Sequence, residues 1–388
     1  MAIAVDETGF ATGTDTLRVD IRELAAAAAF CRKARPRASA GRSAWHDNVL
    51  VRGGYVYGGD PYDTIVSVFL DGTQAHRAFT VPYDTIIAAA KGTKGTVELK
   101  SGGSIVRDDG AIFSWKAEDS VTYDMFSHCY HPMPDVDCQY SYGGDTFRNA
   151  VAMVTPTASK DDSRPVLTGV FLASDGEWAA TDSYRLIIAS VPSERAKDSD
   201  GDGTIVPASV LRLAATVKKA ASFTVTIGGA VPRVEVRMIS AQDRIMSTVT
   251  SRIVEGQYPK CASLVPTGFA ATVDCDGDLL RNALKAAVSM VRRNAPITFT
   301  LDDSTSTLLV SAGSGDTCGE WYVPCLYDTG ATDGKLTIGV NAEFAADGAN
   351  AIGGDVSVSV ISGLRPLLMT NTARVGFDPR YVVMPIRI

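Results

Sequence analysis

The sequence predicts an α+β protein in which one structural unit, an antiparallel sheet with two helices, occurs three times. Two sequence markers support this prediction, because each recurs three times along the 388 residues at a nearly constant spacing. Between the markers lie short runs rich in β-branched residues, which are typical of strands. At roughly 100–200 residues per domain, a chain of this length holds two to four domains, in agreement with three repeats.

The first marker is an Asp followed by an Ala-rich amphipathic stretch. An Asp at the start of a helix can accept hydrogen bonds from free backbone N–H groups and lies at the positive end of the helix dipole. The three copies begin at Asp20 (DIRELAAAAAF), Asp145 (DTFRNAVAMV) and Asp278 (DLLRNALKAAVSMV), at spacings of 125 and 133 residues. Each copy predicts the first helix of a repeat.

The second marker predicts a second helix in each repeat. Val81-Pro82 precedes YDTIIAAAK, Val206-Pro207 precedes ASVLRLAATVKKA, and Val340-Asn341 precedes AEFAADGANAI. Pro in the first turn is a helix-start signal. The spacings of 125 and 134 residues nearly equal those of the first marker, so chance is a poor explanation for the agreement.

The segments between the predicted helices indicate antiparallel hairpins and meanders. They alternate β-branched with polar residues and are interrupted by Gly, Asp and Ser. The clearest examples are 64–70, 95–100, 222–227, 233–238, 296–301, 307–312, 355–361 and 380–388. Sheets of this kind with two helices on one face make each repeat an α+β domain. We expect the three domains at residues 1–137, 138–267 and 268–388.

Composition and charge restrict the class of protein. The net charge of −7 excludes a uniformly basic nucleic-acid binder but not a basic patch on an acidic body. No apolar run is long enough to span a membrane, and residues 1–10 lack the basic start of a secretory signal. The seven cysteines include no CxxC pair and predict free thiols. We therefore expect a cytoplasmic protein without a membrane partner.

The charge is distributed unevenly along the chain. The six predicted helical segments with their flanks carry a net charge of +7, so the remaining residues carry −14. If the helices share one surface, that surface is positive and the sheet side is negative, which suits contact with phosphates through the helices. The alternative is that Lys and Arg merely occupy the polar faces of amphipathic helices, and the acidic last segment, 341–355, weakens the pattern.

No catalytic, metal or cofactor site is indicated. His128, Cys129, His131 and Cys138 are of zinc-binding types, but their spacing matches no common zinc finger. DSDGDG at 198–203 resembles the start of a calcium loop but lacks the Glu that completes one. The Gly-rich runs fit neither the P-loop nor the dinucleotide fingerprint. We expect a binding or scaffold protein that is not an enzyme and needs no cofactor.

Three segments together resemble the bacterial DNA polymerase III β subunit, the sliding clamp. They are TDSYRLIIASVP at 181–192, SRIVEGQYPKCASLVP at 251–266, and YVVMPIRI at 381–388, the last preceded by GVNAEFAADGANAI at 339–352. Their order and spacing are similar to the family's Thr-Asp-Gly-His-Arg-Leu, Gly-x-Phe/Tyr-Pro-x-Tyr…Leu-Pro and Met-Pro-Met/Val-Arg-Leu motifs. The resemblance extends over all three repeats, which it identifies as DNA-clamp domains.

The resemblance implies that the chain forms half of a six-domain ring. Sliding clamps are closed rings, so three domains per chain require a head-to-tail homodimer. The helices would line a hole that encircles double-stranded DNA without reading its sequence. The implied DNA-facing residues are Arg32, Lys33, Arg35, Arg37, Arg148, Arg212, Lys218, Lys219, Arg281, Lys285, Arg292 and Arg293. The implied dimer contact, for which core packing is the alternative, involves Phe113, Trp115, Val288, Met290 and Val291.

The resemblance also implies a pocket for short linear peptide motifs of the replicative DNA polymerase, the clamp loader and repair proteins. An apolar cleft with a few polar groups can hold one or two hydrophobic side chains of an extended peptide. For MPIRI the alternative is an ordinary core strand. The expected pocket residues are Leu167, Thr181, Ser183, Tyr184, Arg185, Leu186, Pro259, Leu264, Leu364, Pro366, Val382, Met384, Pro385, Ile386 and Arg387. Ser183 and Tyr184 stand where the family has Gly and His.

Two other classes of protein remain open from the sequence. The high content of Ala, Gly, Ser and Thr also fits a β-rich structural protein, such as a capsid or tail component. A zinc-dependent enzyme that uses the segment 128–131 is the third interpretation. The sliding clamp implied by the resemblance, which would act as a processivity factor for the polymerase, differs from both because it forms a closed dimer.

Overall fold

The computed structural model describes residues 16–36, 44–60, 62–71, 78–116, 136–197, 203–314, 317–329, 335–373 and 376–388. These residues form two compact units. The first contains the described residues up to Gly144 together with 195–197 and Leu213–Ile253. The second contains Asp145–Glu194, 203–212 and the described residues from Val254 onward.

The described residues contain two α-helices in each third of the chain. These are α1 (Ile21–Arg32), α2 (Tyr83–Ala90), α3 (Gly144–Val154), α4 (Ala208–Ala215), α5 (Gly277–Met290) and α6 (Ala342–Ile352). They lie where the two markers predict them, so the repeated pair of helices is confirmed. None of these helices combines the length and the apolar character needed to cross a membrane.

The strands fall into the same three groups. The first third contains β1 (Thr16–Asp20), β2 (Asn48–Arg52), β3 (Tyr55–Gly59), β4 (Thr64–Phe69), β5 (Phe79–Pro82), β6 (Thr96–Lys100), β7 (Ser104–Arg107) and β8 (Ile112–Ser114). The middle third contains β9 (Val136–Gly143), β10 (Gly169–Ala173), β11 (Glu177–Thr181), β12 (Arg185–Ser190), β13 (Glu194–Lys197), β14 (Gly203–Pro207), β15 (Ser222–Gly228), β16 (Arg233–Ile239) and β17 (Ile245–Arg252). The last third contains β18 (Ala271–Cys275), β19 (Pro296–Asp302), β20 (Thr307–Ser314), β21 (Thr317–Thr329), β22 (Leu336–Asn341), β23 (Val356–Val360), β24 (Leu367–Asn371), β25 (Arg380–Val383) and β26 (Pro385–Ile386).

The strands pair in antiparallel fashion within three sheets. The first unit has a sheet of order β1-β6-β7-β8 and another of order β13-β9-β15-β16-β17-β4-β3-β2-β5. The second unit has one sheet of order β14-β10-β11-β12-β25-β24-β23-β18-β21-β20-β19-β22-β26. In each unit a strand of one third pairs with a strand of another, β17 with β4 and β12 with β25. Since sheets continue between repeats, the compact units differ from the three expected domains, whose boundaries remain a prediction.

The helix starts differ in detail from the Asp marker. Asp20 is the N-cap of α1, and its Oδ1 accepts hydrogen bonds from the N–H groups of the second and third helical residues, at 2.8 and 3.1 Å. In α5 the cap is Asp276, which accepts from the N–H of the third helical residue at 2.9 Å. Asp145 and Asp278 are each the second residue of their helix and bind an Arg one turn later. The marker therefore identifies the helices but not their caps.

Helix α6 packs closely on β25, and Gly348 makes this approach possible. A Cβ atom at residue 348 would lie 2.7 Å from two ring carbons of Tyr381 and 3.1 Å from the sulfur of Met369. The Tyr381 ring is fully buried and has no room to move away. A Gly in a helix interior costs about 0.5–1 kcal/mol relative to Ala, so the close contact explains why this helix tolerates it.

Candidate functional site

In the second unit, the motif at 181–192 and the C-terminal segment lie side by side. β12 pairs with β25 so that Leu186 is opposite Val382. Beyond the end of β25, the N–H of Met384 donates to the carbonyl oxygen of Tyr184 at 2.9 Å. Because the ladder fixes the register, the backbones of Tyr184 and Met384 are held next to each other.

The third motif segment, 251–266, packs over the same strands. The phenol oxygen of Tyr258 accepts a hydrogen bond from the N–H of Thr181 at 3.1 Å. Tyr258 and Cys261 also join strand residues in a buried group that we call the apolar cluster: Ala179, Leu186, Ile188, Ile205, Tyr258, Cys261, Leu368 and Val382. All three segments that carry the family resemblance therefore meet at one place in the second unit.

Four large apolar side chains of the expected pocket are exposed, and each lies within four residues of a member of the apolar cluster. The exposed fractions are 64% for Tyr184, 53% for Leu264, 72% for Leu364 and 45% for Met384. Contiguous exposed apolar side chains are typical of a binding surface, and the backbones of Tyr184 and Met384 are neighbours. We call these four residues the exposed apolar group.

The remaining expected pocket residues divide by depth. Leu167, Thr181, Arg185, Leu186 and Val382 are buried; Pro366, Pro385 and Ile386 are half-buried; Ser183, Pro259 and Arg387 are exposed. Leu186 and Val382 belong to the apolar cluster. A ligand would therefore meet the exposed apolar group first, with the buried residues as its support.

The C-terminal segment is not the single strand over 380–388 that the sequence predicts. β25 ends at Val383, Met384 lies outside both strands, and Pro385–Ile386 forms β26, which pairs with β22. Pro lacks the N–H that a strand in the middle of a ladder donates, so Pro385 is compatible with a change of partner strand. The core-strand interpretation thus holds up to Val383, whereas Met384 is exposed.

Polar side chains hold the turn that presents Tyr184. Oδ1 of Asp182 accepts hydrogen bonds from the N–H groups of Tyr184 and Arg185, at 3.0 and 3.1 Å. The hydroxyl of Thr181 accepts from the N–H of Ser183 at 3.1 Å and donates to the carbonyl of Arg185 at 2.7 Å. Ser183 has φ 77°, a conformation that favours Gly, which is the residue the family motif has at this position.

Arg185 is buried, and its guanidinium is bound on every side by residues of the second unit. Nε donates to Asp182 at 2.9 Å, one terminal nitrogen donates to Asp347 at 2.5 Å, and the other donates to the carbonyl of Pro156 at 2.9 Å. The guanidinium carbon lies 4.3 Å from the centroid of the Phe344 ring, a cation–π distance. Arg185 therefore ties the Tyr184 turn to α6 and to the segment after α3.

The electrostatics agree with a structural role for Arg185. Burial alone lowers the pKa of Arg185, but Tyr381, Asp347 and Asp182 outweigh it and raise the pKa above its usual value. Burial also raises the pKa of Tyr381 to about 12. By family resemblance, the sequence predicts Arg185 as a residue of the peptide pocket. In the structure its donors bind groups within the second unit, so it holds the Tyr184 turn in place.

A groove of about 510 Å³ borders the apolar cluster. Among the residues that line it are Phe171 and Tyr258, whose rings stack with centroids 5.2 Å apart and an interplanar angle of 8°. Pro259 is the one expected pocket residue in its lining. No sequence motif marks Phe171, and its strand, GVFLA, has no alternation of apolar and polar residues that could have indicated which face it occupies.

Several expected DNA-facing arginines have partners inside the protein. Arg212 donates to the carbonyl of Thr155 at 3.2 Å, and burial lowers its pKa. Four others form ion pairs: Arg32 with Asp84 at 3.5 Å, Arg35 with Asp47, Arg148 with Asp145 at 2.9 Å, and Arg281 with Asp278 at 2.7 Å. Such surface pairs contribute little to stability, but each offsets the charge of its arginine.

Six other expected DNA-facing residues present their charge to solvent. They are exposed, and no carboxylate in the described part of the chain forms an ion pair with them: Lys33, Lys218, Lys219, Lys285, Arg292 and Arg293. We call them the unpaired cations. Arg37, also expected to face DNA, lies outside the described residues.

The expected dimer residues lie near the edge of a sheet in the first unit and at the end of α5 in the second. In the first unit, Phe113 belongs to β8, an edge strand, and the indole N–H of Trp115 donates to the carbonyl of Thr80 at 3.0 Å. In the second unit, Val288, Met290 and Val291 are half-buried. A Cβ atom at Gly319 in β21 would lie 2.6 Å from the sulfur of Met290, so the end of α5 contacts this strand.

The metal-binding alternative has no support in the described residues, which contain no group of three or more His, Cys, Asp or Glu placed to hold an ion. His128, Cys129 and His131 lie outside the described residues, as does most of the calcium-like segment 198–203. Cys138 is buried in β9.

Comparison with solved structures defines the class of the fold. The DNA polymerase III β subunit of Pseudomonas aeruginosa matches with a TM-score of 0.76 at 20% identity, over 96% of this chain and 100% of that one. The β subunit of Thermotoga maritima matches with a TM-score of 0.76 at 18% identity, over 96% and 99%. The fold is therefore that of the DNA polymerase III β subunits, with three repeated α+β domains.

Sequence comparison agrees with the fold. Residues 143–260 match the family of the DNA polymerase III beta subunit, central domain. The beta sliding clamps of Micrococcus luteus and Synechocystis sp. are 29% and 28% identical over 59% and 60% of this chain, and over 71% and 61% of their own lengths. The beta sliding clamp of Streptomyces coelicolor is 25% identical over 63% of this chain and 65% of its own length. The chain is therefore similar to the beta sliding clamps in sequence as well as in fold.

None of the relatives and solved structures named above is a capsid or tail component. The matched sequence covers less than two thirds of the Streptomyces and Synechocystis relatives. The fold match, by contrast, extends over almost the whole chain.

The contrast between Arg185 and its neighbour Tyr184 generates a stability prediction. Arg185→Ala is expected to lower the free energy of unfolding by about 3–5 kcal/mol, because it leaves the carboxylate of Asp182, whose side chain is only 16% exposed, without its cation. Tyr184→Ala, at an exposed position, is expected to change it by less than about 0.5 kcal/mol.

Urea unfolding of the two variants measures both values. Arg185→Lys is the matched control, since it keeps the charge but loses the fork of hydrogen bonds, and it should fall between the other two. A small, equal effect of both alanine substitutions would contradict the structural role of Arg185.

Proposed function

We propose that two copies of this chain join head to tail into a six-domain ring that encircles double-stranded DNA and acts as a processivity factor for a replicative DNA polymerase. The observation that carries this proposal is the extent of the fold match, which reaches 96% of the chain and so includes all three repeats. A ring needs every repeat, because the two interfaces that close it lie at opposite ends of the chain.

The mechanism that follows is retention by enclosure. A ring remains on DNA without reading bases, so it needs only weak contacts with phosphates, and tight contacts would stop it from sliding. The unpaired cations suit this role, because exposed lysines and arginines attract phosphates without a fixed geometry. The acidic remainder of the chain repels DNA elsewhere.

Enclosure predicts a dependence on DNA topology. When the full-length protein is loaded onto nicked plasmid by a bacterial clamp loader with ATP, the complex should survive gel filtration at high salt. A restriction cut that linearises the plasmid should release the protein. Equal loss from circular and linear plasmid would contradict enclosure.

The unpaired cations predict how the protein responds to salt. Replacing Lys218, Lys219, Arg292 and Arg293 with Gln should weaken binding to a labelled duplex. The slope of log affinity against log salt should also fall, by about 0.9 for each phosphate that the variant no longer neutralises. Fluorescence anisotropy at several salt concentrations measures this slope.

The matched control for the salt experiment removes an ion pair instead. Asp145→Asn combined with Arg148→Gln leaves the net charge unchanged, so it should leave the slope close to that of the unmodified protein. If the control weakens binding as much as the fourfold variant, the distinction between paired and unpaired cations is wrong.

We also propose that the exposed apolar group binds short linear motifs of the polymerase, the loader and repair proteins. Tyr184, Leu264, Leu364 and Met384 would receive hydrophobic side chains of an extended peptide. The turn fixed by Asp182 and Arg185 keeps Tyr184 in place, which lowers the entropic cost of binding. Ser183 and Tyr184 replace the family's Gly and His, so the preferred motif should differ from that of other clamps.

The pocket predicts a loss of peptide affinity. Tyr184→Ala and Met384→Ala should each weaken binding of a labelled clamp-binding peptide from a bacterial replicative polymerase by about tenfold, or ~1.4 kcal/mol. These substitutions are preferable to deletion of the last residues, because deletion would also remove β26 from the edge of its sheet.

Leu326→Ala is the control for the peptide experiment. Leu326 is 77% exposed and lies in the part of β21 that pairs with β18, so β24, β23 and β18 separate it from β25, a distance of roughly 19 Å. Its peptide affinity and its mass in solution should stay unchanged. Full affinity in both the Tyr184 and the Met384 variants would remove the pocket assignment.

For the ring closure, we propose pairing between β8 of one chain and β21 of its partner. β8 is at the edge of its sheet, and residues 317–324 of β21 pair on one side with β20 and with no other described strand. Unpaired edges of this kind readily accept a strand from another chain. The residues that would flank the join are Phe113, Trp115, Val288, Met290 and Val291.

We further propose that the ring is not an enzyme, needs no cofactor and works in the cytoplasm.

A further inference from the structure

Two buried cysteines of the second unit lie opposite each other on neighbouring strands. Cys275, the last residue of β18, is directly opposite Cys325 of β21 in the antiparallel ladder. Their exposed fractions are 2% and 6%, and both are free thiols. The proposed clamp function uses neither of them, and no sequence motif marks either.

The backbone at this pair has the geometry that a disulfide needs. The N–H of Cys325 donates to the carbonyl of Ser306 at 3.0 Å, which lies on the β20 side of β21, away from β18. Since the N–H and C=O of one strand residue point the same way, Cys325 is a non-hydrogen-bonded residue with respect to β18. Such pairs have Cα atoms about 4.5 Å apart, within the range of roughly 4.4–6.8 Å found in disulfides.

The two thiols also interact directly. A hydrogen bond from Cys275 lowers the pKa of Cys325, and the same hydrogen bond, together with burial, raises the pKa of Cys275. The thiolate is the reactive form of cysteine, so Cys325 is the more nucleophilic of the two. Cys275 is placed to react with an oxidised sulfur on Cys325.

We propose that Cys275 and Cys325 are a redox modification site that closes to a reversible disulfide on reaction with hydrogen peroxide. The oxidant must be small, because so little of either side chain is exposed. The inference does not depend on the proposed clamp function.

The reaction balances in two steps. The Cys325 thiolate attacks one oxygen of the peroxide, the O–O bond breaks, and hydroxide leaves and takes up a proton to become water, which leaves Cys325 as a sulfenic acid. The thiolate of Cys275 then attacks the Cys325 sulfur, the S–S bond forms, the S–O bond breaks, and the oxygen departs as a second water. Two thiols lose two protons and two electrons, and one peroxide becomes two waters.

The bond would form at a junction in the sheet. β21 pairs with β20 up to Pro324, which is opposite Thr307, and with β18 from Cys325 onward. A disulfide here fixes the point at which β21 passes from one partner strand to the other. Because it also closes a long loop of chain, the oxidised protein should melt at a temperature higher by roughly 5 °C.

The test uses the full chain with two substitutions, Cys129→Ser and Cys318→Ser. They remove an exposed thiol, Cys318, and a thiol outside the described residues. The protein is treated with hydrogen peroxide, quenched in acidic denaturant, alkylated and digested. Mass spectrometry should find the peptides of Cys275 and Cys325 joined with the loss of two hydrogen atoms. Dithiothreitol should separate these peptides and, in the intact oxidised protein, restore the lower melting temperature.

Two controls make the outcome specific. Cys261 is about as buried as Cys325, at 7% exposed, and burial raises its pKa to about 11. Because Cys261 has no cysteine opposite it in a strand ladder, it should stay reduced. In Cys275→Ala, Cys325 should carry sulfenic or sulfinic acid, and the melting temperature should not rise.

The proposal is overturned if Cys275 and Cys325 both remain fully alkylated after oxidation, or if either is found joined to another cysteine. The mass measurement on the protein that retains both thiols decides the question even if Cys275→Ala fails to fold.

Discussion

The pairing of β12 with β25 is the interaction on which the second unit depends. It joins strands from the middle and last thirds of the chain into one sheet, and it aligns Leu186 with Val382 beneath the segment that carries Tyr258. The same ladder brings Tyr184 beside Met384. One set of backbone hydrogen bonds therefore both connects two repeats and assembles the proposed peptide pocket. In the first unit, the pairing of β17 with β4 makes the corresponding connection between repeats.

A buried cation stabilises the turn beneath the proposed pocket. Removing Arg185 from water is costly, and this cost is offset only because Asp182, Asp347, the carbonyl of Pro156 and the Phe344 ring surround its guanidinium. The result is a rigid base beneath exposed apolar side chains, which is what a site for short peptides requires, since the protein then loses little entropy on binding. The unpaired cations differ from Arg185, because they are exposed and have no carboxylate partner in the described part of the chain, as the proposed sliding contacts with phosphates would require.

The sequence predicts local features well and long-range ones poorly. The repeated helices follow from apolar periodicity and from an Asp at or next to each helix start, which are local signals. The pairing of Asp145 with Arg148 follows from helix geometry and could have been predicted. The break at Met384 could not have been predicted, because the alternation of apolar and polar residues along a strand does not encode a change of partner strand from β12 to β22. Arg185 looks like a pocket residue from its motif, whereas its partners Pro156 and Asp347 are distant in sequence. The register of Cys275 with Cys325 likewise exists only once the sheet has formed.

The proposed ring is tested most directly by electron microscopy of the purified, full-length protein. Class averages should show a two-chain particle with a central opening wide enough for a DNA duplex and six lobes around it. The mass of the same sample in solution should be that of a dimer. A monomer, or a compact particle without an opening, would contradict enclosure of DNA as the function of this chain.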